Sequence, residues 1–383
     1  MQGFDFQPRT RLVFGSGCVE RLGELARELG ATRALMVSDP GVVAAGHFGR
    51  GQSSLRDAGI EVGAFHGVRE NPSTDEVMAG LEVARAFRPE LLVGLGGGSS
   101  MDCAKGINFL YSCGGRMEDY WGVGKATADM LPMIAVPTTA GTGSEAQSFA
   151  LISDAQTHVK MACGDPRAAC RVALLDPELT LTQPLSVTAL TGIDAISHAI
   201  ESYVTRKRNP LSLCYSREAW QLLSEGFSRV LEDPSDIHGR SQVQLGAFFA
   251  GLAIETSMLG AAHALANPLT SQFGIAHGQA VGLMLPHVVR FNGVECARSY
   301  AQLYHDIPDV PPESDLSKSV DALCRFIHGL LSKAQLETRL RDCGVQLDQV
   351  DALAADAARQ WTGSYNPRHL TQGDFAQLYR DAY

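Results

Sequence analysis

The sequence predicts an α/β domain built on a parallel sheet over residues 1–185 and an all-α domain over residues 186–383. Three observations carry this. Up to about residue 185, short apolar runs alternate with helical patterns, the order that gives a parallel sheet covered on both faces. Two of those runs open into loops of glycine, serine and threonine. Beyond them the β-type runs stop, and one amphipathic helical pattern follows another. A length of 383 residues agrees with two or three domains of about 100–200 residues each.

The first strand is expected in RALMVSDPG (33–41), an apolar run closed by an Asp-Pro-Gly turn signal. STDEVMAGLEVARAF (73–87) opens on a serine cap and reads as a helix. Further strands are expected at Leu91 to Leu95, near Met133 to Val136, and within RVALLDPEL (171–179). In the second half, SVTALTGIDAISHAIESYV has helical periodicity. So do SREAWQLLSEGFSRVLED, SQVQLGAFFAGLAIETS, DALCRFIHGLLSKAQLETRLRDCG and DQVDALAADAARQW. HDIPDVPPESD (305–315) is a loop inside that domain. No internal repeat or low-complexity stretch interrupts the chain.

Hydrophobic residues make up 45% and charged residues 19%, ordinary proportions for a globular chain with a large core. The net charge of −10 repels phosphate backbones and anionic lipid, so neither nucleic acid nor a membrane surface is an expected partner. The nine cysteines are scattered, odd in number and without a CxxC pair, which reads as reduced thiols. The segment MQGFDFQPRTRLVFGSG has no apolar core of a signal peptide. No apolar run reaches the ~18 residues of a membrane helix. The expected location is the cytoplasm.

GLGGGSSMDCAKGI (94–107) leaves an expected strand and enters a helix. Glycines there let the backbone approach a pyrophosphate, and a helix N-terminus offers N–H groups and a positive dipole end. Ser99 stands where the last glycine of G-x-G-x-x-G would be, so a plain strand-to-helix turn is the competing reading. PTTAGTGSE (137–145) is a second such loop, with hydroxyls at Thr138 and Thr139. Ligands of open parallel sheets lie at the carboxyl ends of strands, so the pair of loops points to a dinucleotide. Asp39 ends the first clear strand; its carboxylate can accept from ribose hydroxyls and would repel a 2′-phosphate, favouring NAD over NADP. A turn-initiating role before Pro40 stays open.

Asp194 and His198, four apart in GIDAISHAIE, would share one face of a helix. Alone this spacing is common. His263 in LGAAHALANPL and His277 in GIAHGQAVGLMLPH lie in small, apolar surroundings, where a buried imidazole needs a partner and a metal would be one. Three imidazoles and a carboxylate suit Fe²⁺ or Zn²⁺. Four protein ligands fill a tetrahedral site, so substrate binding requires expansion to five or loss of a weak ligand. His287 is read as structural.

FGSG (14–17), NPS (71–73), GGGSSMDCAK (96–105), PTTAGTGSE, DPEL (176–179), GIDAISHAIE, HALANPL (263–269) and AHGQAVGLMLPHVVRFN (276–292) together resemble the iron-containing (group III) alcohol dehydrogenase family, over essentially the whole chain. The resemblance implies a Rossmann-like first domain, a helical second domain, NAD(P) across the glycine loops and a metal in the cleft between them. It puts the metal ligands at Asp194, His198, His263 and His277. Cofactor positions fall on Asn71, Gly97, Gly98, Ser99, Asp102, Thr138, Thr139 and Ser144; Lys160 is a ribose contact or a surface lysine, and Phe149 faces the nicotinamide or is an ordinary core aromatic. Many members assemble as dimers or larger homo-oligomers. One departure stands out. Where many members carry a second histidine four residues after the first, this chain has Asn267, which can hydrogen-bond but cannot titrate.

The expected activity is hydride transfer between NAD and a small primary alcohol, diol or hydroxy acid, giving the aldehyde, with the metal as Lewis acid. Arg368 is a surface charge or a carboxylate-binding group. Two alternatives share the architecture: a sugar-phosphate cyclase of the dehydroquinate synthase type, and a nucleotide-binding homologue without catalysis. A cyclase needs basic side chains for its phosphorylated substrate, yet 190–204 and 256–292 hold none before Arg290.

Overall fold

The computed structural model describes residues 4–383, and its contacts divide them into two compact units, Phe6–Gln183 and Pro184–Tyr383. In the first unit the chain runs β1 (Arg11–Phe14), α1 (Leu22–Glu28), β2 (Arg33–Val37), α2 (Pro40–Ala44), α3 (His47–Asp57) and β3 (Glu61–Phe65). It continues through α4 (Thr74–Phe87), β4 (Leu91–Gly96), α5 (Gly98–Cys113), β5 (Gly122–Val123), β6 (Met133–Pro137), β7 (Phe149–Ser153), β8 (Lys160–Gly164) and β9 (Val172–Leu175). Six strands form one sheet in the order β1-β9-β6-β4-β2-β3, every pair parallel. The parallel α/β architecture expected from the alternation is therefore present.

Alternate side chains explain the continuous apolar runs. Leu91, Val93 and Leu95 of β4, with Ile134 and Val136 of β6, pack into one core beside Leu22, Leu25 and Leu55. Leu92, Met133 and Ala135 face the opposite core with Ile107 and Leu81. Both faces are buried, as parallel sheets require. The edge strands β1 and β3 are mostly exposed or half-buried. They carry no continuous apolar signal, and both go beyond the strands expected from sequence. A second sheet, β5-β8-β7, pairs β7 and β8 antiparallel. Ser73 caps α4 with a reciprocal capping box to Glu76, as its sequence suggested.

The order β6-β4-β2 in the centre decides where the loops go. Adjacent parallel strands bring their carboxyl ends side by side, so the segments after β2, β4 and β6 are neighbours. Those segments hold Asp39, Gly97 to Ser99 and Thr138 to Ser144.

The second unit is helical: α6 (Leu185–Val204), α7 (Pro210–Glu232), α8 (Ile237–Thr256), α9 (Ala261–Phe273), α10 (His277–His305), α11 (Leu316–Lys333), α12 (Val350–Ala357) and α13 (Gln372–Asp381). The segment 321–344, expected as one helix, breaks after Lys333. Gln335 adopts φ 56°, a left-handed conformation that ends a helix, and only a short 3₁₀ turn follows at Leu340–Cys343. No single described helix is long and apolar enough to cross a membrane. Among the described residues all nine cysteines are free, and Cys214 alone is exposed, Cys113 and Cys343 being half-buried.

Small residues let α6 and α10 meet closely. A Cβ on Gly278 would stand 2.1 Å from the Leu190 carbonyl oxygen on α6. Backbone cannot yield as a flexible side chain can. Gly278→Ala is expected to lower stability by about 1–3 kcal/mol through overpacking, measured as the urea midpoint of unfolding at constant m-value.

Candidate metal centre and cofactor loops

Three helices of the second unit converge on one carboxylate oxygen. Asp194 and His198 lie one turn apart on α6, with His198 Nε2 3.4 Å from Asp194 Oδ1. His263, in the first turn of α9, brings Nε2 to 3.6 Å from the same oxygen. His277, the first residue of α10, brings its Nε2 to 3.8 Å. The ligand atoms of Asp194, His263 and His277 all lie within 4.8 Å of one another. His198 flanks this group, its ring stacked on His263 with centroids 4.9 Å apart. Ligands about 2.0–2.2 Å from a tetrahedral ion are separated by roughly 3.4 Å, so the spacing fits a cation.

Burial makes that fit more than geometric. Asp194, His198 and His263 are buried, and the His277 side chain is 31% exposed. Asp194 Oδ1 and His263 Nε2 have no hydrogen-bond partner among the described residues. Orphaned buried polar atoms of this kind are costly in a native structure, and a shared cation would satisfy both. Burial pushes the Asp194 carboxyl up, but His198, His263 and His277 outweigh it and hold the group well below the usual carboxylate range. Burial lowers His263, yet the neighbouring carboxylates of Asp194 and Glu201 carry it up to about 9. A positive charge is thus favoured at the centre of this group.

Glu201 was not singled out in the sequence. It lies on the same face of α6 as Asp194 and His198, and its Oε2 is 2.6 Å from His263 Nδ1. The signal was available: positions 194, 198 and 201 follow an i, i+4, i+7 pattern. Asn267, one turn after His263, donates through Nδ2 to Gln360 Oε1 at 2.9 Å. Arg368 stacks on the Phe291 ring at 3.8 Å and donates to its carbonyl at 2.9 Å. It is held by protein and is not a free surface charge. His287 lies apart from the metal group, lining a cavity of about 330 Å³ with His328, Arg339 and Arg341.

In the first unit the expected cofactor residues gather at the strand ends. Gly97 caps α5 and Gly98 is its first residue, which leaves the helix N-terminus with Ser99 facing Asn71, whose N–H donates to Ser99 Oγ at 3.3 Å. Lys160 Nζ donates to Asn71 Oδ1 at 3.4 Å. The Thr138 N–H donates to the Gly96 carbonyl at 2.9 Å, and Thr139 approaches Gly97. Asp39 divides its carboxylate: Oδ1 caps α2 by accepting from Val42 N–H at 3.0 Å, and Oδ2 accepts from Ser100 Oγ at 3.2 Å. The turn-capping reading of Asp39 is therefore realised, and its second oxygen lies beside the glycine loop. Phe149, half-buried on β7, packs its ring over Gly164.

Asp102 and Ser144 join the two glycine loops. Ser144 Oγ donates to Asp102 Oδ1 at 2.6 Å. Behind them sits Lys105, fully buried, another residue the sequence reading passed over. Its ammonium donates to the Ser144 carbonyl (2.7 Å), Ser144 Oγ (2.9 Å), the Gln147 carbonyl (2.9 Å) and the Phe149 carbonyl (2.9 Å). Burial pushes the Asp102 carboxyl up, and Lys105 and Ser144 draw it back. Burial also pushes Glu145 up, to about 7.

The sequence profile described as iron-containing alcohol dehydrogenase matches residues 8–177, and that of the family's C-terminal part matches residues 188–383. The chain belongs to the iron-containing alcohol dehydrogenase family. It is an oxidoreductase family, and its fold is the one found here. Alcohol dehydrogenase 4 of Schizosaccharomyces pombe is 33% identical, covering 97% of this chain and 87% of the relative. The NAD-dependent methanol dehydrogenase of Bacillus methanolicus is 30% identical over 100% of both chains. Among solved structures, a 1,3-propanediol oxidoreductase superposes with a TM-score of 0.96 at 30% identity, covering 100% of both chains.

Two expected outcomes follow for the loops of this family member. Lys105→Met leaves three carbonyls and the Asp102 carboxylate without their buried cation, and should cost about 3–5 kcal/mol in urea unfolding. Glu145 titrates at about 7 in the fold against 4.5 ordinarily. The folded state then binds more protons than the unfolded state between these values, so stability falls as pH rises through that window. Glu145→Gln should remove this fall. The difference in urea midpoint between variant and wild type should grow from pH 4.5 to about 7 and then stay constant.

Proposed function

We propose that this protein interconverts a small primary alcohol, diol or hydroxy acid with its aldehyde, using NAD and one Fe²⁺ held by Asp194, His198, His263 and His277. The observation that carries the proposal is the buried, unpartnered pair Asp194 Oδ1 and His263 Nε2, ringed by two further imidazoles. When bound, the cation supplies Lewis acidity toward the substrate oxygen and NAD supplies the hydride acceptor.

The residues of this chain do the remaining work. Asp194 stays ionised, so it offers a charged ligand without losing a proton first. His277, the most exposed of the four, leaves the approach for substrate open. The N–H groups at the start of α5 favour an anionic pyrophosphate, and the Asp39 carboxylate disfavours a 2′-phosphate nearby. Zn²⁺ is the second choice of metal, because an N/O donor set accepts both; the family description favours iron. Asn267 cannot take the alcohol proton, since an amide does not titrate and this one is tied to Gln360. The absence of Lys and Arg from 190–204 and 256–289 favours a substrate without a phosphate group over the phosphorylated substrate of a cyclase. A dimer or larger homo-oligomer is the proposed assembly.

The test is anaerobic loading with Fe²⁺ or Zn²⁺, then a panel of alcohols and aldehydes read at the absorbance band of reduced nicotinamide. Asp194→Ala and His277→Ala should lose bound metal and at least about 100-fold in kcat together, the value of several kcal/mol of Lewis-acid stabilisation. Full activity in metal-free His277→Ala protein would sink the assignment. Equal kcat/KM with NADP and NAD would overturn the cofactor choice.

A further inference from the structure

We infer that Glu201 is a positioning residue for the metal: it fixes both the tautomer of His263 and the start of the helix that carries it. This rests on the proposed metal-dependent reading of the site. Glu201 is buried on α6, and its two oxygens have separate duties. Oε2 lies 2.6 Å from His263 Nδ1. Oε1 accepts from the Ala262 N–H at 2.7 Å. The neighbouring Ala261 N–H donates to Asn366 Oδ1 at 3.3 Å.

The first turn of α9 explains why such help is needed. A helix start leaves its N–H groups without intrahelical acceptors, and a serine, threonine or aspartate usually supplies one. Here the capping position is Gly260, which has no side chain to do so. A Cβ at Gly260 would meet Glu201 Oε1 at 3.0 Å and Asn366 Oδ1 at 3.1 Å. Glycine therefore makes room for two acceptors brought from elsewhere in the chain, one of them a carboxylate at the positive end of the helix. Asn366 is itself fixed by reciprocal amide bonds with Asn292, at 2.9 and 2.7 Å.

The chemistry of the two duties makes Glu201 hard to replace. Both the Ala262 amide and the ring N–H at His263 Nδ1 require an acceptor. A carboxylate offers two. With Nδ1–H donating to Oε2, the lone pair of His263 is placed at Nε2, the atom 3.6 Å from Asp194 Oδ1. A carboxylate behind a ligating histidine fixes ring orientation and raises ligand basicity. Glutamine of the same size offers one acceptor and one donor. If its oxygen keeps the Ala262 amide, its NH₂ faces Nδ1, and the imidazole must shift its proton to Nε2, where a metal would bind.

The experiment compares wild type, Glu201→Gln and Asp194→Ala, using Co²⁺ as a visible-absorbing probe with chelator competition, and thermal unfolding of the metal-free proteins. Glu201→Gln should keep the metal-free Tm within a few degrees of wild type, because the helix start keeps an acceptor. It should weaken Co²⁺ affinity by about 10–100-fold and move the ligand-field band of any Co²⁺ it holds. A Co²⁺ affinity within twofold of wild type, with the band unchanged, overturns the role given to Glu201. Asp194→Ala separates the two levels. If wild type binds one Co²⁺ and Asp194→Ala binds none, the metal site stands whatever Glu201→Gln does. If wild type binds no Co²⁺, the metal reading fails and the role of Glu201 fails with it.

Discussion

Asp194 is a carboxylate withdrawn from water, and the second unit is arranged around the need to balance it. An ionised carboxylate in such a place is tolerable only when positive charge or donors surround it. Here the balance comes from His198 on its own helix and from His263 and His277 at the starts of two others. That demand dictates close approach of α6, α9 and α10, and close approach dictates composition. Ala195, Ala199, Ala261, Ala262, Ala264 and Ala280 are buried on these helices, and at Gly278 a Cβ would press on the Leu190 carbonyl of α6.

The first unit solves a different problem with a similar device. Its glycine loops have few side chains of their own with which to hold their shape. Lys105 braces them from behind, as one cation satisfying two carbonyls of the loop after β6 and the first carbonyl of β7 while it stands on the helix that follows β4. Asp102 and Ser144 complete the link. The two loops are therefore tied to each other, although 42 residues separate Asp102 from Ser144.

How much of this could be read from sequence varied with the physics of each element. Strands buried on both faces, β2, β4, β6 and β9, declared themselves as apolar runs, whereas the edge strands β1 and β3 did not, because half their positions face solvent. Spacing exposed Asp194 and His198 because a helix repeats at that interval. His263 and His277 are brought in by tertiary packing over some 65–80 residues of chain, which no local pattern records, and they were legible only through their surroundings and a family resemblance. Glu201 and Lys105 were overlooked for a common reason. A lone glutamate or lysine in a helix reads as a solvated charge, and only the fold shows that each is buried against several hydrogen-bond partners. The helix break after Lys333 depends on Gln335 adopting φ 56°, a backbone choice that its side chain does not announce.

The sulfur content of the chain has a practical side. Burial pushes the thiols of Cys18, Cys163, Cys170 and Cys324 up to between about 11 and about 12, so they carry almost no thiolate at neutral pH and make poor nucleophiles. Alkylating dyes and spin labels should then find Cys214 on α7 first, since it is the exposed thiol among the nine described. A reporter attached there would sit on the helical unit without competing for any of the nitrogen or oxygen donors that gather at Asp194.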